Sequence, residues 1–451
     1  MRTLLAAAVA AIGLAVSTAG PVLAFCGFYV GRADSSLFNE ASQVILVRDG
    51  ERMTITMLND YRGEPKDFAL VVPVPVVLKR EDVGVASKFI FDRLDVFSSP
   101  RLVRYFDESP CEDQRVYPAP PPPAMSSGGP TPRNLGVTVE QSFTVGEYDI
   151  VILSAKDSDG LETWLTTNGY RIPQGASAAL KPYIVQGLKF FVAKVNLGEQ
   201  AKSGVQYLRP LQFSFESPRF MLPVRLGMIN GNNAPQDLIV YTLTRKGRVE
   251  TTNYRTVKIP TDIDVPSFLA KPEDFKAFYK TMFEQLAVAE GYRAVFTEHF
   301  WDMSWCDPCA ADPLNADELR EAGVFWVPPD RSEQQPPRRM KWAPGGDGKV
   351  MLTRLHLRYT RASLPEDLAF QETNDSTLFQ ARYVMREPWS GDVNECPAAR
   401  SYFEGVAMRQ RTDADRLSKL TGWKVEDILK RYTWKSPVIP GHDPANSGTR
   451  Q

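Results

Sequence analysis

Ser42-Gln-Val-Ile-Leu-Val-Arg-Asp-Gly-Glu-Arg-Met-Thr-Ile-Thr-Met-Leu58 is the stretch from which the fold class follows. Two runs of strand-forming residues, 42–47 and 53–58, flank Asp49-Gly50, a dipeptide favoured in tight hairpins because it tolerates positive φ at both central positions. Met53, Ile55 and Met57 share one face, and Thr54 and Thr56 the other. That period of two predicts an antiparallel sheet with one buried and one wetter face.

Working outward, residues 68–78 are apolar on both faces but carry Pro73 and Pro75. They are expected to enter the sheet over 68–72 and leave it as an edge, because proline donates no ladder hydrogen bond. Phe89, Ile90, Leu94 and Phe97 recur at helical spacing, and a second short helix is expected after Pro100 with Leu102, Val103 and Phe106 inward. Residues 117–133, rich in Pro, Gly and Ser, read as a loop or linker. Strand patterns follow at 137–145, 148–153, 188–195, 211–215 and 219–228. Another pair, 237–245 and 248–259, reads as a hairpin closed by Lys246-Gly247. A helix is expected from Asp157 to about Gly169, capped by acids in its first turn. The clearest helix runs from Ser267 to Gly291, with Phe275, Phe278, Tyr279, Met282, Phe283 and Leu286 as a core stripe. Further strands are expected at 293–300, 350–360 and 378–385, an extended segment at 324–327, an exposed Pro/Arg/Gly-rich stretch at 328–348, and helices at 316–321 and 413–432.

These elements predict an α+β fold: a mainly antiparallel sheet, helices packed on one side, and a cysteine-stapled C-terminal region. The expected divisions are a signal peptide (1–24), a hairpin-rich N-terminal part of the body (25–115), a linker (116–134), a continuation of the body (135–300), a cysteine-containing region (301–399) and a helical or partly disordered tail (400–451).

Met1-Arg2, the apolar run 4–16 and the small-residue pattern Val22-Leu23-Ala24 read as a secretory signal cut between Ala24 and Phe25. Phe25 before Cys26 argues against a lipidated cysteine. No later apolar run approaches the ~20 residues of a spanning helix, so the chain is not expected to be integral to a membrane. A net charge of −1 argues against a nucleic-acid partner. The expected location is the periplasm or the extracellular space, with an envelope or extracellular partner whose identity the sequence does not specify.

Chemistry-bearing groups concentrate in Phe300-Trp-Asp-Met-Ser-Trp-Cys-Asp-Pro-Cys309, preceded by His299. With five cysteines in an oxidising compartment, Cys26, Cys111, Cys306, Cys309 and Cys396 are all disulfide candidates. One arrangement closes Cys111 onto Cys26, and Cys396 onto the Cys306/Cys309 pair. Cys306-Asp-Pro-Cys309 also has the local form of a thiol–disulfide exchange motif, although Pro313 interrupts the long helix such a site needs. A zinc set of Cys306, Cys309 and Cys396 with His299 or His356 is a further alternative. Of the three histidines, His299, His356 and His442, His356 on Leu355-His-Leu357 reads as a hydrogen-bonded sheet residue. Gly-x-Ser-x-Gly, Gly-x-Gly-x-x-Gly, a phosphate loop and His-Glu-x-x-His are all missing from the sequence. No cofactor is expected.

Phe25-Cys-Gly-Phe-Tyr-Val30, Ala41-Ser-Gln-Val44, Asn59-Asp-Tyr61, Phe68-Ala-Leu-Val-Val-Pro-Val-Pro75, Gly187-Leu-Lys-Phe-Phe-Val-Ala-Lys-Val-Asn196 and Trp305-Cys-Asp-Pro-Cys309 carry a resemblance to an uncharacterised bacterial family, domain of unknown function 2330. The likeness runs from about Phe25 to about Cys396. It implies an exported protein with a cysteine motif and transfers no catalytic residue. The sequence therefore reads as a non-enzymatic binding or structural protein stabilised by disulfides, the alternative being a thiol–disulfide oxidoreductase working through Cys306 and Cys309.

Overall fold

The computed structural model describes residues 28–31, 38–62, 68–111, 142–154, 158–167, 170, 175–196, 198–199, 208–227, 235–306, 311–328 and 348–432. Outside these lie the expected signal segment with Ala24 and Phe25, then Cys26, the linker 116–134, Cys309, most of 328–348, and everything beyond residue 432, including His442.

In chain order, the first half contains β1 (Phe28–Gly31), β2 (Phe38–Asp49), β3 (Arg52–Arg62), β4 (Phe68–Val74), β5 (Val83–Val85), α1 (Lys88–Ser98), β6 (Arg101–Phe106), β7 (Ser142–Val145), β8 (Tyr148–Ser154), α2 (Ser158–Thr167), α3 (Ala176–Val185), β9 (Lys189–Val195) and β10 (Leu211–Glu216). Then come β11 (Met221–Leu222), β12 (Gln236–Thr244), β13 (Val249–Thr251), β14 (Arg255–Lys258), β15 (Ile263–Asp264), α4 (Pro272–Ala289), β16 (Ala294–Asp302), α5 (Ala316–Glu321), β17 (Met351–Tyr359), β18 (Leu368–Glu372), β19 (Phe379–Gln380), β20 (Arg382–Glu387), α6 (Pro397–Thr421) and α7 (Val425–Lys430).

Two large sheets dominate, one of nine strands (β14-β16-β17-β12-β2-β3-β10-β5, with β19 on β16) and one of five (β1-β4-β9-β8-β7). Most pairings are antiparallel; β2–β12 and β14–β16 are parallel. The sheets face each other across one apolar core, to which Val44, Met53, Ile55, Leu238, Leu355 and Leu357 contribute from one side and Leu70, Val72, Ile150 and Phe191 from the other. Each sheet carries helices on its outer side. Leu161, Leu165, Leu180 and Tyr183 of α2 and α3 cover Val71, Phe190 and Val192. Phe91, Leu94 and Phe97 of α1 cover Ile45, Val47 and Leu243, and α4, α6 and α7 gather over Phe296 and Tyr383. The fold is α+β, mainly antiparallel, as the hairpin pattern predicts.

The β2–β3 hairpin forms, with a turn one residue later than expected. Asp49 pairs with Arg52, so Gly50 and Glu51 make the bend, and Gly50 takes φ +60°, where a side chain would be strained. Thr54 and Thr56 are buried, not wet; Thr54 shares a 2.8 Å hydrogen bond with Ser214, and Gln212 donates to Thr56 at 2.8 Å. β4 continues through Pro73, opposite Phe190. Among the described residues β1 pairs with β4 only as far as Val71, and a proline is tolerated where a strand lies at an edge.

Other expectations are corrected. Residues 101–106 form a strand, not a helix, because they pair in parallel with Arg382–Glu387. Residues 237–245 and 248–259 form no hairpin: β12 lies between β2 and β17, β13 pairs with β18, and β14 pairs with β16. Strand 219–228 shrinks to β11. Helix α3 is absent from the sequence reading because Pro182 interrupts its pattern. Helix α6 starts at Pro397, well before residue 413, and its Ala414 and Leu417 pack with Phe278, Met282 and Phe283 of α4. Cys111 is bonded to Cys396 across a separation of 285 residues, which replaces the pairing of Cys111 with Cys26 and of Cys396 with the 306/309 pair.

Candidate functional site

β17 is the strand from which a site is built. Leu355, Leu357 and Tyr359 enter the core between the sheets. The alternate residues Arg354, His356 and Arg358 are also buried, but under the helices, because successive strand side chains point to opposite faces. A break in register between Thr297 and His299 of the neighbouring β16 brings Glu298 against this row; such bulges re-aim side chains.

Glu298, fully buried, is the centre of the cluster. It accepts a 2.6 Å hydrogen bond from Arg354 Nε and lies 2.7 Å from His356 Nδ1, and Tyr279 of α4 donates its hydroxyl to the same carboxylate. Arg354 Nη1 continues to Asp95 of α1 at 2.7 Å and to the Tyr241 hydroxyl at 3.2 Å. On the other side, His356 Nε2 is 3.7 Å from Asp237 Oδ1, an ionic contact longer than a hydrogen bond. Arg358 forks onto both oxygens of Asp237 and reaches Glu284 of α4. Phe283 lies flat on the His356 ring, centroids 3.8 Å apart and 7° from parallel. The chain of charges runs from Asp95, whose side chain is 43% exposed, through a dry centre to Glu284 at 38%.

The electrostatics follow from this packing. Burial opposes charge on Glu298, yet His356 and Arg354 hold its carboxyl down at about 2. Burial equally opposes the imidazolium, but Glu298 and Asp237 lift His356 to about 9. Burial is likewise outweighed at Asp237, which Arg358 and His356 hold at about 2. His356 is therefore charged at neutral pH, donating from Nδ1, and each carboxylate in the row is matched to a cation. Such a set acts as an electrostatic clamp joining α1 and α4 to the sheet. General acid–base work needs a group poised to titrate near the working pH, and Glu298, Asp237 and His356 are each held away from it.

The sequence-predicted residues fall elsewhere or play other roles. His356 is a hydrogen-bonded sheet residue, as its alternation suggests. His299 is 1% exposed, lies edge-on to Phe97 at 5.3 Å, and is depressed to about 3 by burial and by the nearby Arg101 and Arg354. Cys396 is the residue before the first turn of α6, in its disulfide with Cys111. Cys306 is also disulfide-bonded, with its partner outside the described residues. Two of the proposed zinc thiolates are thus oxidised, and the zinc set is withdrawn; among the described residues no group of three or more His, Cys, Asp or Glu could hold a metal. Glu298, Arg354, Arg358, Asp237 and Asp95 escape sequence reading, and Tyr279 is legible there only as a member of the core stripe. The one available signal was Arg354-Leu-His-Leu-Arg358, charge at every second position of an apolar strand.

The family described as uncharacterized protein conserved in bacteria (DUF2330) matches residues 20–371. The chain belongs to this family. The DUF2330 match takes in the clamp and both large sheets apart from β19, and ends before α6 and α7. No curated protein matches the chain. Among solved structures, a mutated baculovirus P35 after caspase cleavage is similar at 10% identity over 47% of this chain and 72% of that chain, with a TM-score of 0.27, too low to bear on fold or function. No described helix is long and apolar enough to cross a membrane.

Proposed function

We propose that this DUF2330 protein is an exported, disulfide-stabilised binding protein of the bacterial envelope with no catalytic activity of its own. The observation that carries the reading is the Cys111–Cys396 disulfide, which ties the segment after β6 to the start of α6. Disulfides persist in oxidising compartments and are rare in reducing ones. The N-terminal 24 residues, with their charged start and small-residue end, supply an export signal that agrees with it. The most elaborate ionic cluster is consumed in holding helices to sheet, which favours a scaffold over a reaction centre.

The test is to express the full chain in a bacterium, fractionate the cells and map the mature protein by mass spectrometry without reduction. The expected product starts at Phe25, resides in the envelope fraction and contains the Cys111–Cys396 cross-link. Retention in the cytoplasm with both thiols reduced would overturn the reading. A second reading has one observation in its favour: Cys306 is only partly buried, beside the exposed Trp305. A disulfide at Cys306 with a potential between roughly −200 and −120 mV, and turnover lost in Cys306→Ala, would make the protein an oxidoreductase with Cys306 as nucleophile and Cys309 as resolving thiol. A potential below roughly −300 mV marks a structural staple.

A further inference from the structure

At the end of the sandwich where β4 runs out, residues from both large sheets line a cleft of about 200 Å³. Ile55 and Phe215 come from the nine-stranded sheet, Pro73 from the five-stranded one, and Met221 and Pro223 from the segment after β10. A second cleft of about 310 Å³, lined by Phe220, Leu368 and Phe370 among others, shares Gln186, Arg219 and Met221 with the first. The first cleft is walled mainly by apolar groups and the second also by Arg225, Glu366 and Asp367; the cation common to both is Arg219.

Arg219 is held there by construction. Arg48 donates to the carbonyls of Ser217, Pro218 and Arg219 at 3.1, 3.4 and 3.1 Å, and the Arg219 amide donates to Ser217 Oγ at 3.1 Å. The loop that bears Arg219 is thus pinned at successive carbonyls. Gln186 donates its amide to Pro182 O at 3.0 Å, which turns its Oε1 toward Arg219, where it accepts from Nη1 at 2.6 Å. That neutral amide is the side-chain partner of the guanidinium; among the described residues no carboxylate lies within salt-bridge distance of it. Several other arginines do pair with acids: Arg245 with Asp49, Arg255 with Glu290, and Arg358 with two.

An oriented cation without a carboxylate partner of its own, at the mouth of a small, mainly apolar slot, is complementary to an apolar group that carries its own carboxylate. We propose that this double cleft binds the C-terminal end of a peptide, with an aromatic or branched terminal side chain in the slot lined by Pro73 and Phe215, its α-carboxylate on Arg219, and the preceding residue over the second slot. The first slot is too small for most free metabolites, whose sites run to ~300–1,000 Å³, but suits one side chain. The two slots joined through Arg219 suit consecutive residues of a chain. This proposal rests on the binding-protein reading and names the chemistry of its ligand.

The experiment uses the full mature chain and calorimetric titration with three probes: N-acetyl-Ala-Phe with a free carboxylate, the same dipeptide amidated, and N-acetyl-Ala-Ala. The free acid is expected to bind, the amide to bind about tenfold or more weakly, as for loss of a charge-assisted hydrogen bond, and the Ala-Ala probe weakly as well. Arg219→Gln is expected to reduce binding of the free acid to the level of the amide while leaving the thermal midpoint unchanged, since Arg219 is exposed. Arg411→Gln, on the far helix α6, serves as the control that leaves binding intact. Equal affinity for acid and amide, an Arg219→Gln protein that binds as wild type, or no binding of any probe overturns the proposal. If envelope ligands still co-purify with Arg219→Gln, this cleft is refuted while the binding-protein reading stands; if nothing co-purifies with wild type either, both fall.

Discussion

The two faces of β17 carry opposite chemistry on one strand. Toward the five-stranded sheet, Leu355, Leu357 and Tyr359 join a core made of aliphatic and aromatic groups. Toward the helices, Arg354, His356 and Arg358 are buried against Glu298 and Asp237 and reach out to the partly exposed Asp95 and Glu284. Apolar packing accepts any neighbour of suitable volume. A buried charge accepts only a partner at hydrogen-bond distance, because removal from water costs several kcal/mol per ion. The charged face therefore sets register: sliding β17 by one residue would drive two arginines and a histidine into the aliphatic core. The inner face supplies bulk stabilisation, and the outer one selects which helix sits where.

The sharpest way to break this contrast is to unpair the centre. Glu298→Ala leaves Arg354 and His356 buried together, and is expected to destabilise the protein by about 3–5 kcal/mol in urea unfolding. A loss below about 1 kcal/mol would show that the cluster is hydrated rather than clamped. Leu355→Ala on the opposite face is expected to cost about 3 kcal/mol through lost transfer energy and a cavity. The two faces should differ most when whole groups are exchanged. The triple variant Glu298→Leu, Arg354→Met, His356→Leu is expected to recover to within about 1 kcal/mol of wild type, since well-packed apolar groups can replace buried ion pairs. No such rescue is open to Leu355→Ala.

The pH dependence of stability separates the faces more gently. His356 is raised from 6.5 to about 9, so its contribution is complete below pH 6.5 and is lost as pH rises through 9. Glu298 and Asp237 are lowered to about 2 from 4.5 and 3.8, so theirs is complete above those ordinary values and is lost as pH falls toward 2. The cluster's contribution is expected to be flat between pH 4.5 and 6.5, with a decline of about 1–3 kcal/mol on the alkaline side. His356→Gln should flatten that limb, whereas Leu355→Ala should lower the curve without reshaping it. An unchanged alkaline limb in His356→Gln would remove the imidazolium from the account.

The smallest effect belongs to α6, beyond the family match. Burial, reinforced by Asp264, pushes the Asp413 carboxyl up to about 6 against the opposing pull of Arg416, Arg409 and Arg386; Arg416 stands 3.6 Å away. A raised carboxyl favours the folded state when protonated, so this site loses stability as pH climbs from 3.8 through 6. Asp413→Asn is expected to raise the thermal midpoint at pH 7.5, by about 1 kcal/mol of stability, and to change nothing at pH 4. A lower midpoint at pH 7.5 would show that Arg416 fully compensates the charge.

Much of the scaffold was legible from period alone. Met53, Ile55 and Met57 announced the inner face, Phe278, Met282 and Phe283 announced α4, and residues 316–321 form the helix their pattern predicts. Partnership was not legible. Residues 237–245 and 248–259 look like a hairpin locally, but β12 takes β2 and β17 because long-range pairing buries more than the local turn does. Cys111 and Cys396 meet only because β6 pairs with β20, which delivers the chain to the start of α6.

What the amino-acid order determined by itself was the alternation of faces, the places where the chain must bend, and the family, since these depend on neighbours in sequence. Tertiary structure alone decided that Glu298 would meet Arg354 and His356, and that Arg219 would stand over a cleft shared by two sheets. Charges 56 and 58 residues apart become neighbours only after the strands between them have paired, and neither burial nor its cost exists until then.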